Sequence, residues 1–284
     1  MRTCAAQISL KPGEVRENLS RCLGVIEESQ AAGVDLLVLP ECAFSGYILD
    51  EEQTRAAAVG AEGPELSTLS RAVEAAGIHA VVGFLERDGS TLYNAAALMG
   101  PSGIIVSYRK RHIPFVGADR FVQAGQNVGP VVAGTPLGRV GLNICYDIRF
   151  PESARTVALA GADLIAQPTN WPIEAVVVAT HFPIVRATEN KVFLVVANRG
   201  DSENGVSFIG MSQIVSPSGD VVARAERGDT LLIADIDVEQ ARRKKVVVQP
   251  GAYEIDLWKD RRPEMYAPLV HGAVAERAEE AQAK

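Results

Sequence analysis

Cysteine is scarce in this chain of 284 residues, and its spacing excludes two common uses of the residue. The four cysteines, Cys4, Cys22, Cys42 and Cys145, are far apart and form no C-x-x-C pair. This spacing argues against a zinc site. A disulfide framework is equally unexpected, because a chain of this length can build one large core and disulfides are rare in the cytosol. We therefore expect no metal and no disulfide.

Long apolar runs and a surplus of basic residues are also missing. No apolar stretch approaches the roughly 20 residues that a bilayer-spanning helix needs. The first ten residues resemble a strand rather than a signal peptide. The net charge of −7 argues against nucleic-acid binding, because a phosphate backbone attracts a basic surface. We therefore expect a cytoplasmic protein that binds neither membranes nor nucleic acids.

Strand-like and helix-like patterns alternate along the chain, with no linker between them. Apolar runs indicate buried strands, and segments of helical periodicity indicate helices. The predicted strands include 34–40, 78–86, 92–99, 103–110 and 139–145, and the predicted helices include 13–32, 65–76 and one near 178–190 that His181 opens. The alternation predicts one α/β domain over residues 1–271, with a large mixed sheet split into two layers. Residues 272–284 are charged and rich in alanine, and we predict that they form a tail outside the core.

Three of the apolar runs end beside a side chain that could take part in catalysis: Glu41, Lys110 and Cys145. Open α/β sheets present their chemistry at the carboxyl ends of strands, so a base, a charge stabiliser and a nucleophile could converge there. Each residue also has an ordinary interpretation. A cysteine in an apolar stretch is usually inert, a glutamate often begins a helix, and a lysine in a basic run usually faces solvent.

The blocks around these three residues resemble the signature blocks of the nitrilase, or carbon–nitrogen hydrolase, superfamily. They are LPECAFSGY, YRKRHIP and GLNICYDIRFPE, and in that superfamily they carry a catalytic Glu, Lys and Cys in the same order. The similarity continues through GADLIAQPTNWP, RATENKVFLVVAN, GMSQIVSPSGDVV and DRRPEMY, to about residue 270. The resemblance implies a four-layer α-β-β-α sandwich, no cofactor, and a homodimer or higher homo-oligomer.

The resemblance also implies a role for each residue of the set. Cys145 would attack a carbonyl or nitrile carbon as a thiolate, and Glu41 would take its proton as general base. The Lys110 ammonium would favour the thiolate. Together with the backbone N–H of Tyr146, it would also form an oxyanion hole. The strand would then end at Cys145 so that a turn presents the sulfur, as in a nucleophile elbow.

The sequence departs from the superfamily pattern at a fourth catalytic position. Many members of the superfamily carry a second glutamate in the loop after the lysine block. This chain has Ala118 in that place and the acidic Asp119 beside it. Two interpretations stay open: Asp119 positions Lys110, or it pairs with Arg120 or Arg111 on the surface.

The resemblance places the substrate pocket after the cysteine block and after the QPTNW strand. It nominates Tyr146, Asn170 and Trp171 as substrate-binding residues, with Phe115 from the loop after the lysine block. For Trp171, packing in the core is an equally good interpretation.

Three other polar residues admit alternatives. Arg199 could bind a substrate carboxylate with two hydrogen bonds, or it could pair with Asp201 or Glu203 in its own loop. His112 and His181 could suggest a Cys–His dyad. We disfavour the dyad because Glu41 already fills the role of the base.

The function that we expect is hydrolysis of a non-peptide C–N bond through a cysteine thioester. The substrate would be a small aliphatic amide or carbamoyl-amide, and ammonia or an amine would be released. The ICYDIRFPE block looks more like the amidase and carbamoylase branches than like true nitrilases. The alternatives are a nitrilase, which turns a nitrile into acid and ammonia, and a catalytically idle scaffold. The presence of Glu41, Lys110 and Cys145 together disfavours the scaffold.

The implied homodimer would join two sandwiches through their outer helices. The segment FPESARTVALAGA is the candidate contact, with Val157, Leu159 and Ala160 expected to face the partner.

Overall fold

A computed structural model describes residues 1–126 and 129–270. The chain divides into two compact units, Met1–Arg242 and Arg243–Lys284. The second unit contains one antiparallel hairpin, in which Lys245 and Glu254 form an ion pair. The predicted tail at 272–284 lies outside the described residues, and the single domain over 1–271 stays a prediction.

The strands and helices follow the alternation that the sequence predicts. Their bounds in chain order are β1 (Arg2–Gln7), α1 (Val15–Ala31), β2 (Leu36–Val38), α2 (Glu51–Ala57), β3 (Val59–Gly60), α3 (Pro64–Ala76), β4 (His79–Asp88), β5 (Thr91–Gly100), β6 (Gly103–Arg109), β7 (Val132–Thr135), β8 (Gly138–Leu142), α4 (Pro151–Leu159), β9 (Leu164–Pro168), α5 (Val176–Asn190), β10 (Phe193–Ala197), β11 (Ser202–Glu203), β12 (Val206–Ser207), β13 (Gln213–Val215), β14 (Val221–Arg224), β15 (Thr230–Asp235), α6 (Glu239–Arg242), β16 (Lys245–Gln249) and β17 (Tyr253–Asp256).

The first sheet has the strand order β15-β1-β2-β4-β5-β6, with β3 beside β4. Strands β1, β2 and β4 are parallel, whereas β15, β5 and β6 pair antiparallel with their neighbours. Helices α1 and α3 lie together on one side of this sheet. The sequence defines α3 at both ends, because Pro64 occupies its first turn and Gly77 adopts the left-handed φ of 68° that ends a helix.

The second sheet has the order β14-β13-β10-β9-β8-β7, with β8, β9 and β10 parallel. Helices α4 and α5 pack on this sheet. The two sheets contact each other through β1, β2 and β4 on one side and β9 and β10 on the other. The layers therefore run helix, sheet, sheet, helix, and the predicted α-β-β-α sandwich is confirmed.

The structure differs from the sequence predictions at several elements. Strand β8 ends at Leu142, three residues before Cys145, and α2 was not predicted. A capping box between Asp50 and Gln53 begins α2. The helix has only seven residues, so its apolar face is too short to produce a recognisable helical pattern in the sequence. His181 lies inside α5 instead of opening it. Among the described residues, no helix combines the length and apolar character that a bilayer crossing requires.

The predicted dimer contact on α4 is wrong for Val157. This side chain is only 2% exposed, and it packs so closely on Gly141 of β8 that a Cβ there would collide with it. Val157 therefore belongs to the contact between α4 and its own sheet. It is not available to a partner.

Candidate active site

Glu41, Lys110 and Cys145 meet where β2, β6 and β8 end. The turn that carries Glu41 lies directly over β4, because Gly83 has no side chain: a Cβ there would lie 2.6 Å from the Glu41 Cα. Lys110 follows β6, and its Nζ lies 2.7 Å from the Glu41 Oε1. Both charged side chains are fully buried. The structure thus brings together the three residues that the sequence singled out.

A tight turn presents the sulfur of Cys145. The cysteine opens a short 3-10 helix, Cys145–Arg149, and adopts a left-handed φ of 41°, which is rare for a residue with a side chain. The buried Asp147 carboxylate holds this turn by accepting hydrogen bonds from the backbone N–H of Ile144 at 2.9 Å and the Tyr108 hydroxyl at 2.8 Å. Gln167 donates to the Cys145 carbonyl at 3.2 Å. This geometry agrees with a nucleophile elbow.

Two carboxylates and two donors form a closed ring beside the cysteine. The Lys110 ammonium contacts Glu41 at 2.7 Å and Asp119 at 2.5 Å. The amide group of Asn94 donates to the same two carboxylates, at 2.7 and 2.8 Å. Within the ring, each carboxylate thus accepts from one charged and one neutral donor, an arrangement that offsets the cost of burying the charges. The second oxygen of Glu41, Oε2, has no hydrogen-bond partner among the described residues.

The position of Asp119 decides between its two interpretations. Its carboxylate is buried against Lys110 and also accepts a hydrogen bond from the Tyr47 hydroxyl at 2.8 Å. The neighbouring Arg120 donates to the carbonyl of Gly117 instead. Asp119 therefore lies at the site and not in a surface ion pair, and its role in catalysis is left to the proposal below.

Burial controls the protonation of these groups. It raises the pKa of the Cys145 thiol to about 12, and the negative charge of Glu41 adds to this effect. Burial also raises the pKa of Glu41, while the Lys110 charge opposes the shift. For Lys110, burial alone would lower the pKa, but the charges of Asp119 and Glu41 outweigh it and raise the pKa well above the usual value. At neutral pH the sulfur therefore rests as a thiol.

The sulfur opens into a cavity of about 410 Å³ with largely apolar walls. Three of the nominated residues, Tyr146, Asn170 and Trp171, lie on its wall. Other lining residues are Tyr47, Ile48, Pro114, Val116, Arg149, Pro172, Glu174, Ala175, Val206 and Phe208.

Phe115 lies outside this cavity. Its side chain is 89% exposed, whereas its neighbours Pro114 and Val116 line the cavity. Phe115 instead lines an adjoining depression that shares Ile48, Val116 and Val206 with the cavity.

Arg199 is not available to a substrate. It is fully buried, forms ion pairs with Asp201 at 2.6 Å and with Glu203, and donates to the carbonyl of Leu10 at 3.1 Å. Of the two interpretations of Arg199, the pairing within its own loop is therefore the correct one. Its guanidinium also lies 4.4 Å from the centre of the Phe208 ring.

The two histidines contact other groups than the cysteine. His112 places its Nδ1 2.6 Å from the Asp147 carboxylate and stacks on Phe150. His181 is exposed on α5. Neither arrangement supports a Cys–His dyad. Among the described residues, no group of three His, Cys, Asp or Glu side chains could hold a metal ion.

Sequence reasoning missed Tyr47, Asn94 and Asp147. The signal for Asn94 is its position as the one strongly polar residue in the apolar run of β5, LYNAAALM. Asp147 and Tyr47 lie inside blocks that the resemblance already covered. Their partners come from other blocks, so only the folded chain reveals what they bind.

The fold and the buried cysteine site are those expected of a thiol hydrolase. Comparison with known proteins agrees with this class. A family model described as carbon–nitrogen hydrolase matches residues 2–245. A nitrilase of Pyrococcus abyssi is 38% identical over 89% of this chain and 94% of its own length. An (R)-stereoselective amidase of Pseudomonas sp. is 33% identical over 92% of each chain. An omega-amidase of Xenopus tropicalis is 32% identical over 88% of this chain and 91% of its own.

Solved structures give the same fold. An amidase from Nesterenkonia sp. AN1 superposes with a TM-score of 0.79 at 24% identity, over 95% of this chain and 100% of the other. This structure is of a mutant of that amidase, and it shows the product of Michael addition of acrylamide at the active-site cysteine. The chain belongs to the carbon–nitrogen hydrolase family. It is a hydrolase of carbon–nitrogen bonds.

Proposed function

We propose that this enzyme hydrolyses a small amide or carbamoyl-amide through a thioester on Cys145. The observation that carries the proposal is the buried Glu41 carboxylate, whose Oε2 has no hydrogen-bond partner among the described residues, in the ring beside a cysteine thiol. A thiol with a raised pKa needs a neighbouring base, and an unpartnered carboxylate oxygen is one. The amidases among the relatives support the same reaction.

In the first half of the reaction, Glu41 takes the thiol proton as the sulfur attacks the carbonyl carbon. The negative charge that develops on the carbonyl oxygen is stabilised by the Lys110 ammonium and by the backbone N–H of Tyr146. Glu41 then gives its proton to the amide nitrogen. The C–N bond breaks, ammonia or an amine leaves, and a thioester remains on Cys145.

In the second half, water replaces the amine. Glu41 takes a proton from the water as its oxygen attacks the thioester carbon. The C–S bond then breaks, the acid is released, and the proton on Glu41 returns to the sulfur. Asp119 would hold the Lys110 charge in place through both halves.

The cavity sets the size and character of the substrate. About 410 Å³ and apolar walls from Tyr47, Trp171 and Phe208 suit a small, largely aliphatic acyl group. Tyr146 and Asn170 would contact the reacting amide, because both lie next to the sulfur. Tyr146 follows Cys145 in the chain, and the backbone N–H of Asn170 faces the thiol. The exposed Phe115 would contact only a substrate that extends from the cavity into the adjoining depression.

A screen of amides, carbamoyl-amino acids and nitriles for ammonia release tests this proposal. Brief incubation with a good amide should also add the mass of the acyl group to the peptide that contains Cys145. An enzyme that releases ammonia without any acylated Cys145 would contradict the mechanism.

Nitrile hydrolysis is the second candidate, and the Pyrococcus abyssi relative called a nitrilase is the observation that favours it. A nitrile keeps its nitrogen until water has attacked the thioimidate, so the same carboxylate would need a different position. Misplacement by about 1 Å can cost roughly 10²-fold in rate. Amide and nitrile pairs with the same alkyl group, compared by kcat/KM, distinguish the two, and we expect the amide to be faster.

We also propose that the enzyme is a cytoplasmic homodimer. Its four cysteines are free and buried, which suits a reducing compartment. Val177 and Val185 on α5 are 61% and 47% exposed and lie on one face of the helix, eight residues apart. Pairing of this face with its copy would bury it and join two sandwiches into eight layers.

A further inference from the structure

Tyr47 connects three parts of the chain that meet at the candidate active site. Its hydroxyl donates to the Asp119 Oδ2 at 2.8 Å, and its carbonyl accepts a hydrogen bond from the backbone N–H of Ala118 at 2.7 Å. Its own backbone N–H donates to both carboxylate oxygens of Glu203, at 3.0 and 3.1 Å. The side chain and the backbone of Tyr47 therefore both hold the loop that carries Asp119.

The hydroxyl of Tyr47 shares an acceptor with the catalytic lysine. The Asp119 Oδ2 receives the Tyr47 hydroxyl and the Lys110 ammonium, while its Oδ1 receives Asn94. A lysine side chain has several rotatable bonds, whereas a buried phenol ring is rigid. Burial and the neighbouring Asp119 charge raise the pKa of Tyr47 well above its usual value, so the hydroxyl stays a donor at any working pH.

A buried ion pair anchors Tyr47 from the other side. Glu203 approaches the turn before Tyr47 so closely that a Cβ on Gly46 would collide with its carboxylate. Arg199 neutralises Glu203 and also holds the Leu10 carbonyl. The anchor thus joins the β11–β12 hairpin, the segment after β1 and the turn that carries Glu41.

We propose that Tyr47 is a positioning residue: its hydrogen bond fixes Asp119 against Lys110, and the Glu203–Arg199 ion pair fixes Tyr47. The proposal rests on the proposed role of Lys110 in charge stabilisation. Tyr47 acts through Asp119 and does not itself exchange protons with substrate. Its loss should slow the chemical step while substrate binding stays nearly unchanged.

Tyr47→Phe tests the hydroxyl alone, because the ring that lines the cavity remains. We expect kcat for a good amide to fall roughly 10-fold, the factor of one hydrogen bond to a charged group, with KM within about two-fold. In an Asp119→Asn background the same change should cost less than about two-fold, because the charged acceptor is already gone. A full 10-fold loss in both backgrounds, or an unchanged kcat in Tyr47→Phe, would overturn the proposal.

Tyr108→Phe is the matched control. Tyr108 is also buried, and its hydroxyl donates to the carboxylate of Asp147 at the same 2.8 Å, but it does not contact Asp119. Tyr108→Phe should lower kcat by the same factor in the wild-type and the Asp119→Asn backgrounds, because the two residues are not in contact. If Tyr108→Phe also costs less than about two-fold in the Asp119→Asn background, the coupling reflects a general loss of rigidity in the site, and the proposal fails.

Glu203→Gln tests the anchor. The amide oxygen still accepts from Tyr47, but the charge that balances Arg199 is lost. We expect kcat to fall in the wild-type background and little further in Tyr47→Phe. A lower melting temperature with an unchanged kcat would show that the ion pair only stabilises the fold. Activity in Cys145→Ala would instead refute the proposed function, so the two failures are distinguishable.

Discussion

Cys145 combines a left-handed backbone, which presents the sulfur, with a thiol pKa raised to about 12, which keeps the sulfur protonated at rest. We predict that Cys145→Ala abolishes ammonia release. The free energy of unfolding should change by no more than about 1–2 kcal/mol, because only the sulfur is removed. Cys4→Ala in β1 is the control and should keep its activity. Equal activity in the two variants would refute the assignment of the nucleophile.

As the proposed general base, the Glu41 carboxylate should set the pH dependence of the reaction. Burial raises its pKa above the usual 4.5, and the protonated form cannot accept the proton of the thiol. Activity should therefore be complete above the pKa of Glu41 in the folded enzyme and fall as the pH drops through it. We predict that the acid limb of kcat/KM lies above pH 4.5 and that the residual activity of Glu41→Gln lacks it. An acid limb below that value would contradict this assignment.

At the scale of a single element, Gly83 in β4 lets the catalytic turn lie on the sheet. A Cβ there would lie 2.6 Å from the Glu41 Cα and 2.7 Å from the Pro40 carbonyl oxygen. We predict that Gly83→Ala lowers kcat by at least about 10²-fold, because the Glu41 backbone must move. The measurement is the kinetics of the purified variant, together with its melting temperature.

Gly24 in α1 provides the matched control for that substitution. Its surroundings leave open space for a Cβ, and its φ is not in the left-handed region. Gly24→Ala should therefore keep full activity and raise stability by about 0.5–1 kcal/mol, the usual gain in a helix. If both glycine variants stay fully active, Gly83 does not position Glu41.

Elements with a long apolar or periodic pattern could be predicted from the sequence, and short ones could not. Strands β4, β5 and β6 were predicted near their observed bounds because each contains a long run of apolar residues, and helices α1 and α3 because each buries one face. The residues Glu41, Lys110 and Cys145 were predicted through block resemblance. Asn94 and Tyr47 were not, because their importance lies in partners distant in the chain.

At the scale of the whole molecule, the proposed dimer determines the mass of the particle in solution. We predict a particle of twice 30.3 kDa by light scattering at micromolar concentration. Val177→Asp should shift it toward the monomer, because a charge on the exposed face of α5 cannot be buried without a partner. Val222→Asp, on the exposed part of β14, is the control and should leave the mass unchanged. A 30.3 kDa wild-type particle would contradict the dimer, and a dimeric Val177→Asp would exclude this face.

The raised pKa of Cys145 also affects how fast the resting enzyme is oxidised or alkylated at this sulfur. Peroxide and alkylating reagents attack thiolates, and the first product of peroxide is a sulfenic acid. If the thiolate forms only when Glu41 takes the proton during the reaction, the resting enzyme contains very little thiolate. Oxidation of the resting sulfur should therefore be slow, although the proposed mechanism uses the same sulfur as a nucleophile during turnover.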